Sequence, residues 1–143
     1  MNRIIANRKK GKQTFVFIDE IYILFMHEYS AQFLFKLWKR VRKYGAYCTG
    51  LTQNVEDLLQ SHTARTMLSN SEFIIMLNQA ATDRDELAKL LNISDQQLSF
   101  IKNVSAGCGL IKVGSSLVPF ENNFPKNTKL YRLMTTKPND DFR

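Results

Sequence analysis

The sequence predicts an α/β fold built on a parallel sheet with a β-hairpin near its end, and three observations carry that expectation. Short continuous apolar runs at 14–18, 46–52 and 73–77 lack the in/out alternation of a half-exposed strand, so they read as strands buried on both faces. Between them lie stretches whose apolar residues recur at helical spacing. Strands and helices alternate along the chain, as crossover connections in a parallel sheet require.

Each element has its own signal. Thr14 to Ile18 is rich in aromatic and β-branched residues and is closed by Asp19-Glu20. Residues 21–44 read as helix. Ser30 is a candidate cap for a second segment, in which Phe33, Leu34, Leu37, Trp38 and Val41 form an inward stripe. Gly45 suits the C-cap. Ala46 to Thr52 reads as the second strand and runs into Gln53-Asn54. Residues 55–68 read as one helix with Val55, Leu58 and Leu59 inward, and Phe73 to Leu77 as the third strand, ending at Asn78-Gln79. Thr82 followed by Asp83, Asp85 and Glu86 opens a helix, because acids favour the positive end of the helix dipole. Ser94 and Gln97 have the spacing of a capping box opening a helix to about Lys102. Gly109–Val113 and Leu117–Phe120 flank the turn residues Gly114-Ser115-Ser116 as a hairpin. The stretch 1–13 is a basic segment, and 122–143, with Pro125 and Pro138, is expected to be extended.

Composition narrows the class. The chain has 143 residues, enough for one domain with a substantial core, and 44% of them are hydrophobic. Two cysteines, Cys48 and Cys108, are too few for a disulfide scaffold or a Cys-rich zinc module. His27 and His62 have no ligand partners at metal-binding spacing. No apolar run has the ~18 residues of a membrane-spanning helix.

The net charge of +7 is uneven. Arg3, Arg8, Lys9, Lys10 and Lys12 precede any acid, and Lys36, Lys39, Arg40, Arg42 and Lys43 form a second cluster. From 56 to 95 acids dominate. Clustered cations attract nucleic acid, anionic lipid or phosphate, but they equally make a solvated face. DNA binding is open on charge, although no reader motif accompanies it.

Chemistry gathers at the strand ends. In an open α/β sheet, ligands bind beyond the carboxyl ends of the strands, which here carry Asp19-Glu20, Thr52-Gln53 and Asn78-Gln79 near one crevice. Two adjacent carboxylates suit nucleotide hydrolysis: Asp19 can hold Mg²⁺, commonly through water, and Glu20 can orient or deprotonate the attacking water. Gln53 on the neighbouring strand can sense the γ-phosphate. The alternative is that Asp19-Glu20 only starts the next helix. Lys43 is explained by the helix dipole, but Arg40 and Arg42 exceed what capping needs, and Arg suits bidentate phosphate contact. Arg42 precedes the second strand, away from its own crevice, which suits service to a neighbouring subunit's nucleotide. Nowhere does the sequence contain G-x-x-x-x-G-K-[ST]; Lys9-Lys10-Gly11-Lys12-Gln13-Thr14 lacks the first Gly and leads into a strand.

In these motifs the sequence resembles the C-terminal portion of the VirB-type conjugative transfer ATPases of type IV secretion systems, within the RecA-like HerA/FtsK clade, from about Thr14 to Lys137. Phe15-Val16-Phe17-Ile18-Asp19-Glu20 is similar to the family's Walker B strand, which implies Asp19 as the Mg²⁺-associated acid and Glu20 as the catalytic carboxylate. Arg42-Lys43-Tyr44-Gly45 resembles its Arg-Lys-x-Gly motif, implying Arg42 as a finger acting in trans, and Gly50-Leu51-Thr52-Gln53-Asn54 its glutamine motif. Val55 to Leu59, Leu68 to Ser71 and Leu110 to Phe120 are further family-like stretches, and Arg65 near the second is a weaker nucleotide-contact candidate.

The resemblance implies residues 14–121 as the C-terminal part of a RecA-like domain, a partial sheet without its P-loop strand. It implies ATP and Mg²⁺ as cofactors of the intact protein. A ring-forming homo-oligomer, hexameric in the family, or a full-length ATPase is implied as partner, with secretion-channel proteins at the inner face of the cell membrane. Such proteins serve DNA or protein transfer and pilus assembly on conjugative plasmids and integrative elements. Without the phosphate loop the chain is expected to be a truncated product, a remnant or one part of a split protein, inactive alone and prone to self-association through open edges. A non-catalytic module that binds a full-length ATPase or secretion partner is the second reading.

Overall fold

The computed structural model describes residues 1–135. The chain runs α1 (Asn2–Lys9), β1 (Thr14–Ile18), α2 (Glu28–Val41), β2 (Ala46–Gly50), α3 (Val55–Gln60), α4 (His62–Ser69) and β3 (Phe73–Met76). It continues through α5 (Ala81–Leu91), α6 (Asp95–Leu98), β4 (Cys108–Val113), β5 (Ser116–Glu121) and α7 (Lys129–Met134). Short 3₁₀ turns occupy Ile21–Phe25, Arg42–Tyr44 and Ser99–Ile101.

The strands form two sheets. β1 and β2 pair in parallel, in register from Thr14 opposite Ala46 to Ile18 opposite Gly50. β3, β4 and β5 form an antiparallel sheet in that order. The third strand therefore does not join the parallel pair, contrary to the sequence expectation. A short apolar run does not specify the direction of its partner, and here the chain turns back after α6 to lay β4 beside β3. The hairpin is as expected, with Gly114 at φ +57 in its turn and Pro119 on the edge strand, where its missing N–H costs no ladder bond.

Burial on both strand faces is also corrected. Phe15 and Phe17 of β1 are 60% and 71% exposed, and Tyr47, Phe73 and Ile75 share that openness. Phe15 and Tyr47 stack with centroids 5.1 Å apart on the uncovered face. The opposite residues meet helices: Val16 and Cys48 pack with Ile4 of α1 and Val41 of α2, and Ile74 and Met76 with Leu87 and Leu91 of α5. The helices of this chain that meet the strands cover one face.

The helix boundaries follow local chemistry. The stretch 21–44 is interrupted at His27, whose extended backbone (φ −123, ψ 131) caps α2. Ser30 lies inside the helix and does not cap it; its hydroxyl donates to the Leu24 and His27 carbonyls at 2.6 and 3.0 Å, tying the preceding turn to α2. Phe33 faces outward, so the inward stripe is Ala31, Leu34 and Val41, with Leu37 and Trp38 half-buried. The stretch 55–68 is two helices because Ser61 breaks it and caps α4, its Oγ accepting from Ala64 N at 3.3 Å. The helix expected from Thr82 begins at Ala81. Gly45 sits at φ +65 as the expected C-cap, and both bonds of the Ser94–Gln97 box are made.

The two ends of the chain carry helices, which revises the expectation of an extended tail. The basic segment forms α1, anchored by buried Ile4. In the tail, Thr128 accepts from Tyr131 N at 3.1 Å and starts α7, so 122–143 is not extended throughout. Residues 136–143, with Pro138, lie outside the described residues.

Three apolar clusters make the core. One joins Val55 and Leu59 to the antiparallel sheet and α5; a second joins Ile21, Leu34, Leu58, Ala64 and Met67; a third holds Ile4, Val41 and Ala46. Leu68 packs against the first two and Leu37 against the last two. No helix among the described residues is long and apolar enough to cross a membrane.

Candidate functional site

The parallel pair sets two chain segments side by side where it ends. Beyond Ile18 and Gly50 the pairing persists for one more step: Leu51 N donates to Ile18 O and Ile21 N to Leu51 O, both at 2.9 Å. The side chain of Ile21 lies across Gly50, where an added Cβ would press on its Cδ1, so the glycine lets the turn after β1 pack closely over the end of β2. Between these bonds the backbone of Glu20 takes a left-handed conformation, φ 46 and ψ 50, disfavoured for a side chain of this size.

That geometry brings the acidic pair and the amide-bearing loop together. Glu20 N donates to Asp19 Oδ1 at 3.0 Å, and Gln53 N approaches Glu20 Oε2 at 3.5 Å. Asp19 and Gln53 are exposed and Glu20 is half-buried. Asn54 rigidifies the loop: its Oδ1 accepts from Asp57 N at 3.0 Å to cap α3, and its own N–H donates to Thr52 Oγ1 at 3.1 Å. Sequence reading missed Gly50 and Asn54 as supports, although an Asn before an acidic helix start is a legible capping signal.

Arg42 lies at the other end of the same strands. It is exposed in the 3₁₀ turn after α2, with its carbonyl accepting from Gly45 N at 3.1 Å, immediately before β2 begins. At about 3.3 Å per residue, β2 separates the two ends by roughly 16 Å. Asn78-Gln79 follows β3, which belongs to the other sheet, and Gln79 N donates to Ile101 O of the last 3₁₀ turn at 3.0 Å. Arg65 is engaged locally, with Nε donating to Leu59 O and Nη2 3.7 Å from Glu86. Burial pushes the Cys48 thiol upward, which favours the neutral form over a nucleophilic thiolate.

For a bound cation, the donors at this place are the carboxylates of Asp19 and Glu20. Mg²⁺ is held by one or two carboxylates together with waters and substrate phosphates, so these two fit its protein side. Among the described residues no group of three or more His, Cys, Asp or Glu forms a closed metal cage.

A parallel pair ending in adjacent carboxylates, with a separate antiparallel hairpin sheet, matches part of a P-loop ATPase structure. Residues 1–108 match the family model of the TraG P-loop domain, and the chain belongs to that family. It is similar to the solved structure of VirB4 of Thermoanaerobacter pseudethanolicus, with 25% identity and a TM-score of 0.76. The match covers 85% of this chain and 34% of that one, so the chain spans about a third of that protein's length. No curated protein sequence matches significantly. The resemblance to VirB-type transfer ATPases is thus supported by family and by structure.

Proposed function

We propose that this chain is the Walker B part of the motor domain of a conjugative transfer, type IV secretion ATPase. The observation that carries the reading is the meeting of Glu20 Oε2 with the Gln53 loop at the end of a parallel strand pair, beside Asp19. Asp19 would hold Mg²⁺ in the completed site, and that ion would supply charge neutralisation for the phosphates. Glu20 orients the attacking water and accepts its proton. Its left-handed backbone, bonded on both sides through Leu51, directs the carboxylate toward the Gln53 loop. Gln53 offers a neutral amide to the γ-phosphate. Arg42, at the far end of the strands, serves the nucleotide of the next subunit in a ring. The intact protein then couples hydrolysis to DNA or protein transfer, or pilus assembly, at the inner face of a membrane.

A second reading is supported by the open sheet face of Phe15, Phe17 and Tyr47 and by the outer edge of β2, which pairs with no strand among the described residues: a non-catalytic interaction module that binds a full-length ATPase or secretion partner. Mg²⁺-ATP binding and turnover by the 143-residue chain, with Glu20→Gln as control, test both. The expected result is no turnover from the chain alone, because backbone amides and a Lys to cradle the phosphates are missing from its sequence. Turnover appears on adding a polypeptide that supplies the loop, and Glu20→Gln abolishes it. Turnover by the chain alone that Glu20→Gln leaves intact would overturn the assignment of Glu20.

A further inference from the structure

The outward face of α2 carries side chains that a solvated helix face does not need. With 3.6 residues per turn, Tyr29, Phe33, Lys36 and Arg40 fall on one narrow stripe, opposite the buried Ala31, Leu34 and Val41. Tyr29 is 88% exposed and Phe33 55%, and the preceding turn adds exposed Ile23 and Met26. The stripe is divided along its length: apolar at its start, cationic at its end. Neither Lys36 nor Arg40 has an ion-pair partner among the described residues. Glu28, the only acid of α2, is occupied by Gln32, whose Nε2 donates to it at 3.0 Å.

We propose that this stripe docks an amphipathic helix of a partner protein. Its apolar residues cover Tyr29 and Phe33, and acidic residues a turn or two further along face Lys36 and Arg40. The lengthwise division argues for this occupant. A helix lying in a membrane surface keeps its apolar side continuous and its cations on the polar side, whereas here the two kinds of residue follow one another on one side. Among the described residues of a second copy, neither α7 nor α5 supplies the complement: α7 exposes Leu130, Leu133 and Met134 but carries Lys129 and Arg132, and α5 has acids but no large exposed apolar residue. The inference concerns α2 alone and stands or falls separately from the nucleotide site.

Two synthetic helical peptides test it against the full chain, one with spaced leucines followed by glutamates, the other with lysines replacing the glutamates. The acidic peptide is expected to bind at least about tenfold tighter. The double variants Tyr29→Ala/Phe33→Ala and Lys36→Glu/Arg40→Glu each weaken it by about tenfold without altering the helical circular dichroism. On Lys36→Glu/Arg40→Glu the lysine peptide regains the lost affinity, a charge exchange that misfolding cannot mimic. Equal affinity for both peptides overturns the proposal, as does binding that ignores these variants. So does tighter capture by anionic vesicles or a single-stranded oligonucleotide that Lys36→Glu/Arg40→Glu alone removes.

Discussion

Glu20 shows how a single backbone conformation can bring a side chain against a neighbouring loop. An L-residue in the left-handed region costs about 1 kcal/mol, which glycine avoids. Glu20→Gly is therefore expected to leave the melting temperature unchanged or slightly raised, although glycine elsewhere in an ordered segment lowers it. Thermal unfolding followed by circular dichroism measures this. Cys48 makes a pH prediction. Burial raises its folded-state value above the unfolded one, so its contribution to stability is complete below the ordinary thiol range. That contribution is lost as pH climbs from the ordinary value to the raised one. Iodoacetamide should label Cys48 more slowly than a free thiol peptide, with the rise in rate displaced to higher pH, as read by mass spectrometry. The acids and the amide of the site were legible as residues after apolar runs. The left-handed turn between them was not, because nothing about a glutamate announces positive φ.

At the scale of elements, caps were the most readable features where the side chain acts on its own helix. Ser94 and Gln97 realise both bonds of their box, and Ser94→Ala should destabilise the protein by about 1 kcal/mol in a urea titration. Ser30 misled because a serine near a helix start can equally donate backward from inside the first turn. The pairing of β3 was illegible for a different reason. Ile74 and Met76 need a covered face, and both parallel and antiparallel partners supply one. Only the path of the chain through α5 and α6 decides for β4.

For the whole molecule, the uncovered face of Phe15, Phe17, Tyr47, Phe73 and Ile75 and the open edges of β2 and β3 dominate solution behaviour. The chain alone is expected to sediment with a mass that rises with concentration and persists in high salt, since apolar contact is not screened. Association abolished by salt would instead point to the basic clusters. Sequence reading assigned these strands to a two-faced interior because it could not see which helices were absent from one side.

The three apolar clusters communicate through two leucines, Leu68 between the first pair and Leu37 between the second. Such a relay makes cooperativity depend on very few side chains. Wild-type protein should melt in one transition, with amide protons of β1 and β4 exchanging through a common opening. Leu68→Ala should lower stability by about 1–3 kcal/mol, Leu68 being half-buried, and split that exchange into two classes, the hairpin sheet opening while the parallel pair stays closed. The strands bearing Glu20 and Gln53 would then be an independently closing unit, and the hairpin sheet a separately melting annex.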